Sequence, residues 1–65
     1  MNIGDVFHVK TKKESFRYRI IGKDVENVNS EQKGYLAITL DGTEELKFWG
    51  YPQFHTLKSQ GVIFV

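Results

Sequence analysis

The run Phe16-Arg17-Tyr18-Arg19-Ile20 decides the fold class. Side chains of an extended strand alternate between two sides. Phe16, Tyr18 and Ile20 therefore form one apolar face, and Arg17 and Arg19 form a row of guanidinium groups on the other. A strand of this kind belongs to a small β protein with an apolar interior and a basic outer surface.

The same alternation continues on both sides of this run. Gly4-Asp5 precedes Val6-Phe7-His8-Val9-Lys10, a first strand rich in β formers. Lys12-Lys13-Glu14 reads as a polar turn into the second strand, Phe16 to Ile21, and Gly22 predicts a bulge or bend after it. Residues 24–33 are polar apart from Val25 and Val28 and predict a long surface loop, with the second strand fraying into it as the alternative. Tyr35-Leu36-Ala37-Ile38-Thr39-Leu40 is the third strand, with Leu36, Ile38 and Leu40 assigned to the core. Asp41-Gly42 signals a hairpin into a fourth strand over about 44–49.

Parity sets the register of that hairpin. A two-residue loop would place Ile38 opposite Glu45. The three-residue loop Asp41-Gly42-Thr43 instead pairs Ile38 with Leu46 and Leu36 with Phe48, which keeps an apolar face apolar. It also pairs Tyr35 with Trp49 and Ala37 with Lys47 on the other face. Tyr51 to Leu57 contains Pro52, which a central strand excludes because proline lacks an amide donor. Pro near the start and Gly61 just past the end suit a short helix or 3₁₀ turn, with Phe54 and Leu57 facing the core. Val62-Ile63-Phe64-Val65 closes the chain as a short strand.

The expected fold is all-β: a single domain over 1–65, forming a five-stranded closed or half-open barrel with a helical turn before the last strand. This order resembles the SH3-like small barrel, where a helical turn sits between the last two strands. The opening Ile3-Gly4-Asp5-Val6-Phe7 is similar to the first strand of many such barrels. The acidic-aromatic loop with which signalling SH3 domains take proline-rich ligands has no counterpart here, so that binding mode is not carried over.

At 65 residues, a domain buries only about 60% of the surface its unfolded chain exposes. The sequence has no cysteine, so neither a disulfide nor a thiolate metal site holds the fold together. Burial of five Phe, three Tyr and one Trp must supply the stability. No apolar run is long enough for a membrane span, and Met1 to Asp5 lacks the features of a signal peptide, so the cytoplasm is the expected location. Net charge is +1 but unevenly spread. Lys10, Lys12, Lys13, Arg17, Arg19 and Lys23 make the first third basic, while Glu26, Glu31, Asp41, Glu44 and Glu45 make the middle acidic.

Two contact surfaces follow, from different classes of function. The first is a nucleic-acid platform on the outer sheet face. Lys10, Lys12, Lys13, Arg17, Arg19 and Lys47 would meet phosphates, with His8 close by, and Tyr35 and Trp49 would stack on the bases of single-stranded DNA or RNA. The plainer account of that face is a solvated surface with cationic stems covering apolar area, or a contact with another subunit. The second is a protein-binding patch around Trp49, Tyr51, Pro52 and Phe54, or a free sheet edge, as in an adaptor or an inhibitor of a larger protein. The apolar C-terminal run adds the expectation of a homodimer.

Catalysis and cofactors are not expected. His8 and His55 lack partners at metal-ligand spacing. Ser15, Ser30 and Ser59 sit in no nucleophile motif, and the acidic group Asp41, Glu44 and Glu45 matches no calcium loop.

Overall fold

The computed structural model describes residues 1–29 and 31–65; Ser30 lies outside the described residues. The chain runs β1 (Val6–Lys10), β2 (Ser15–Asn27), β3 (Gln32–Thr39), β4 (Leu46–Gly50), α1 (Tyr51–Ser59) and β5 (Ile63–Phe64). All pairings are antiparallel, and the sheet order is β4-β3-β2-β1-β5. The sheet is a curled half-barrel whose two edge strands, β4 and β5, are not paired with each other. Helix α1 connects these edges and packs against β3, β4 and β5.

The concave side is built of rings. Phe7 is fully buried at its centre. It stacks on Tyr18 at 5.4 Å between centroids and meets Trp49 at 5.5 Å and Phe54 at 5.2 Å edge-on. These are the offset and T-shaped geometries that the aromatic quadrupole favours. Val9, Ile20, Ala37 and Ile63 complete the buried set.

Rings of this size need small neighbours. Across the β2–β3 pair, Ile20 faces Ala37 and Tyr18 faces Thr39. Thr39, 5% exposed, is the buried polar side chain. Its hydroxyl accepts from the Glu45 N–H at 2.9 Å and lies 2.9 Å from the Thr43 hydroxyl. The Asp41 carboxylate in turn accepts from the Thr43 N–H and hydroxyl, at 3.0 and 2.6 Å. The hairpin predicted at Asp41-Gly42 is thus closed by side chains as well as backbone.

The β3–β4 register agrees with the sequence reading: Tyr35 with Trp49, Leu36 with Phe48, Ala37 with Lys47 and Ile38 with Leu46. The assignment of faces does not. Ala37 and Trp49 are buried, and Leu36, Ile38 and Leu40 lie on the convex side, half-buried. The aliphatic set is expected inside, but the concave side of β3 carries Tyr35, Ala37 and Thr39, and the two small residues lie where the buried rings leave least room.

The predicted loop over 24–33 is also corrected. Strand β2 extends to Asn27 and β3 begins at Gln32, with Val25 paired to Gly34 and Glu26 to Lys33. Register shifts on either side of Gly22 allow this, in line with the predicted bulge. A polar composition is compatible with strand here because Glu26, Gln32 and Lys33 are exposed while Val25 and Asn27 are half-buried.

The helix forms as expected. Proline occupies its first turn, where its missing N–H costs nothing. Its end is a Schellman motif: Val62 N–H donates to Leu57 C=O at 2.9 Å and Gly61 N–H to Lys58 C=O at 3.2 Å, with Gly61 at φ +77°. The turn aims Ile63 into the core beside Val9.

Candidate binding surfaces

The convex face is divided into two strips. Toward β1 and β2 it carries His8, Lys10, Arg17 and Arg19, all exposed. Pairing places His8 beside Arg17 and beside Phe64 of β5, so a row Phe64–His8–Arg17 crosses three strands. Phe64 is 45% exposed. Lys12 and Lys13 are exposed in the β1–β2 turn.

Toward β3 and β4 the face is aliphatic. Leu36, Ile38, Leu40 and Phe48 are half-buried, and Leu46 is 60% exposed. Arg19 is paired with Ile38, and Ile38 with Leu46, so the basic strip borders the apolar one directly. An apolar strip of this kind, rimmed by charge, is the surface type that marks interaction sites.

The sequence reading placed Tyr35, Lys47 and Trp49 on this face with the arginines, and the structure separates them. Trp49 is 2% exposed, wedged against Phe7 and Tyr18. Its indole N–H is buried without a hydrogen-bond partner. Tyr35 is half-buried against Tyr51 and Phe54, at 4.8 and 5.1 Å between centroids. Lys47 is exposed on the Trp49 side of β4, with Nζ 4.5 Å from the ring centroid, a cation–π contact. None of the three lies beside Arg17 and Arg19. Parity gives the correct partners but not which set of pairs turns inward.

The alternative patch is also divided. Trp49 and Phe54 belong to the core, while Tyr51 is half-buried and Pro52 exposed. Met1, Tyr35, Tyr51, Phe54, His55 and Lys58 line a pocket of about 240 Å³ beside α1. That is smaller than the roughly 300–1,000 Å³ of ordinary ligand pockets. The Met1 amine donates to the Tyr35 hydroxyl at 3.1 Å within it.

Among the described residues, no group of three or more His, Asp or Glu is placed to hold a metal ion. No helix of the described residues is long and apolar enough to cross a membrane. Comparison with models of protein families, with curated proteins and with solved structures finds no match to this chain.

Proposed function

We propose that the chain is a non-catalytic binding module and that the convex face of its sheet is the contact surface for a protein. One observation carries this reading: Leu46, 60% exposed, extends a strip of Leu36, Ile38 and Phe48 that points away from the core and is bordered by Arg17 and Arg19. Such a face suits a partner with an apolar centre and acidic groups at one side. The strand order and the position of α1 support reading the sheet as an SH3-like barrel left open between β4 and β5. The expected protein-binding patch at Trp49 to Phe54 is replaced by this face, because two of its four residues are packed inside.

The test is affinity capture with tagged native chain and tagged Leu46→Asp chain, from host lysate supplemented with untagged copies of the chain. A partner taken by the native chain and lost by the variant, at unchanged circular dichroism, is the expected result. Equal capture by both overturns the proposal.

The row Phe64–His8–Arg17 favours a second reading, binding of single-stranded nucleic acid by the basic strip. Here Phe64 takes the stacking role first given to Tyr35 and Trp49, and Lys10, Lys12, Lys13 and Arg19 add phosphate contacts. A mobility shift at low salt that fades at moderate salt, and is lost in Arg17→Ala/Arg19→Ala, supports it. A double variant that still binds oligonucleotides at full strength refutes it.

A further inference from the structure

We propose that the occupant of the convex face is a second copy of this chain, related by a two-fold axis lying along β3. The inference rests on the reading of that face as a protein contact surface and names its partner. It comes from the way opposite charges flank the apolar strip at the same height.

Leu40 N–H donates to Arg17 C=O at 2.9 Å, which sets Arg17 beside Leu40 on the β2 side. Thr39 N–H donates to Glu45 C=O at 3.0 Å, which sets Glu45 against Thr39 and leaves Glu44, the residue before it, in the turn on the β4 side of Leu40. Glu44 is exposed, at φ +50°, where the hairpin returns. One step along the strands, the same cross-section reads Arg19, Ile38, Leu46. The line of β3, continued to Leu40, is thus a midline with the Arg17 cation on the β2 side and the Glu44 carboxylate in the turn on the β4 side.

A two-fold axis along that midline, between two stacked sheets, exchanges left and right and preserves height. It brings Arg17 of each copy over Glu44 of the other, giving two equivalent ion pairs. Leu36 and Ile38 meet their own counterparts at the axis, and Leu46 is covered by the stem of the opposing Arg19. Packed sheets lie about 10 Å apart, a gap that an arginine and a glutamate reaching toward each other can span. An isologous contact requires a self-complementary patch, and this one is complementary in charge and apolar at its centre. A net charge of +1 opposes the association little.

The test is sedimentation of the full chain from micromolar to millimolar concentration, with circular dichroism as the folding control. The native chain is expected to dimerise. Arg17→Glu and Glu44→Arg should each weaken the dimer at least about tenfold, because each sets like charges together twice. The exchanged pair Arg17→Glu/Glu44→Arg should restore it. A chain that stays monomeric throughout overturns the inference. So do a dimer indifferent to both reversals and a double variant that fails to recover. A monomer whose Leu46→Asp variant still loses a different captured protein, or one that binds only oligonucleotides, likewise removes the second copy as occupant. The first of these outcomes leaves the proposed function standing.

Discussion

The Tyr51 hydroxyl is joined twice to Asp24: it donates to the carboxylate at 2.5 Å and accepts from the Asp24 backbone N–H at 2.9 Å. The contact fixes the first residue of α1 to the irregular part of β2, 27 residues away in sequence. Asp24 has φ +55°, a conformation that L-residues other than Asn and Asp rarely adopt. The helix start therefore holds the bulged strand in shape, and the strand holds the helix start.

Tyr51→Phe should lower the melting midpoint by roughly 4–8 °C, the shift that accompanies loss of one net hydrogen bond in a domain this small. Asp24→Asn keeps an acceptor and tolerates the backbone, so it should cost less than Asp24→Ala, which does neither. Thermal denaturation followed by circular dichroism ranks the three.

Stability should decline at both ends of the pH scale. Burial, then the negative charges of Glu45 and Asp41, raise the Tyr18 phenol above its usual value. The hydrogen bond to Asp24 chiefly raises that of Tyr51. A phenol whose folded value lies above its unfolded one gives stability that is complete below the unfolded value, near 10. That stability is lost as pH rises through the folded value. Donation from the Thr43 hydroxyl and N–H lowers Asp41 below 3.8, so its contribution is complete above that value and is lost as pH falls through the folded one. Urea midpoints across pH should show a neutral plateau, and Tyr51→Phe should remove part of the alkaline slope.

Trp49→Ala should cost about 3–5 kcal/mol. At about 0.05–0.15 kcal/mol per residue for a typical domain, 65 residues have roughly 3–10 kcal/mol available, so the loss is between about a third and all of it. Trp49→Phe should be far milder, since it also removes an indole N–H that is buried without a partner. Native Trp49 emission should be that of a shielded indole, red-shifting on unfolding and indifferent to ligands on the convex face.

Gly34→Ala should destabilise by about 1–3 kcal/mol or more. An added Cβ would lie 2.1 Å from the Trp49 carbonyl oxygen and 2.7 Å from the Gly50 Cα. Both are backbone atoms of the paired strand and cannot swing aside. The urea midpoint measures the loss, and failure to fold would be its extreme form.

Much of this architecture is legible along the chain. The alternation at Phe16 to Ile20, the turn residues at Asp41-Gly42, Pro52 before Phe54 and Gly61 after the helix place four elements and the β3–β4 register. The faces of β3 and β4 are not legible by the same means. Both faces of β3 carry apolar residues, Tyr35 and Ala37 on one and Leu36 and Ile38 on the other, so periodicity alone gives no preference. The phase is passed on from β2, and the shifts around Gly22 interrupt it there. Relative ring volume is what decides: with Phe7, Tyr18 and Trp49 filling the concave side, the small Thr39 faces Tyr18 and the small Ala37 faces Ile20. The continuation of β2 to Asn27 is hidden because Asp24, at φ +55°, breaks the phase and Val25 is the one apolar side chain after it from which to read a face.

From Tyr35 to Leu40, the odd-numbered positions maintain the aromatic interior and the even-numbered ones meet the outside. On the proposed reading of the convex face, folding and recognition are written in alternate letters of one stretch. A lineage could rewrite Leu36, Ile38 and Leu40 to change its company while the rings beneath remain in place. The converse does not hold: enlarging Ala37 would disturb the interior first and the surface only as a consequence.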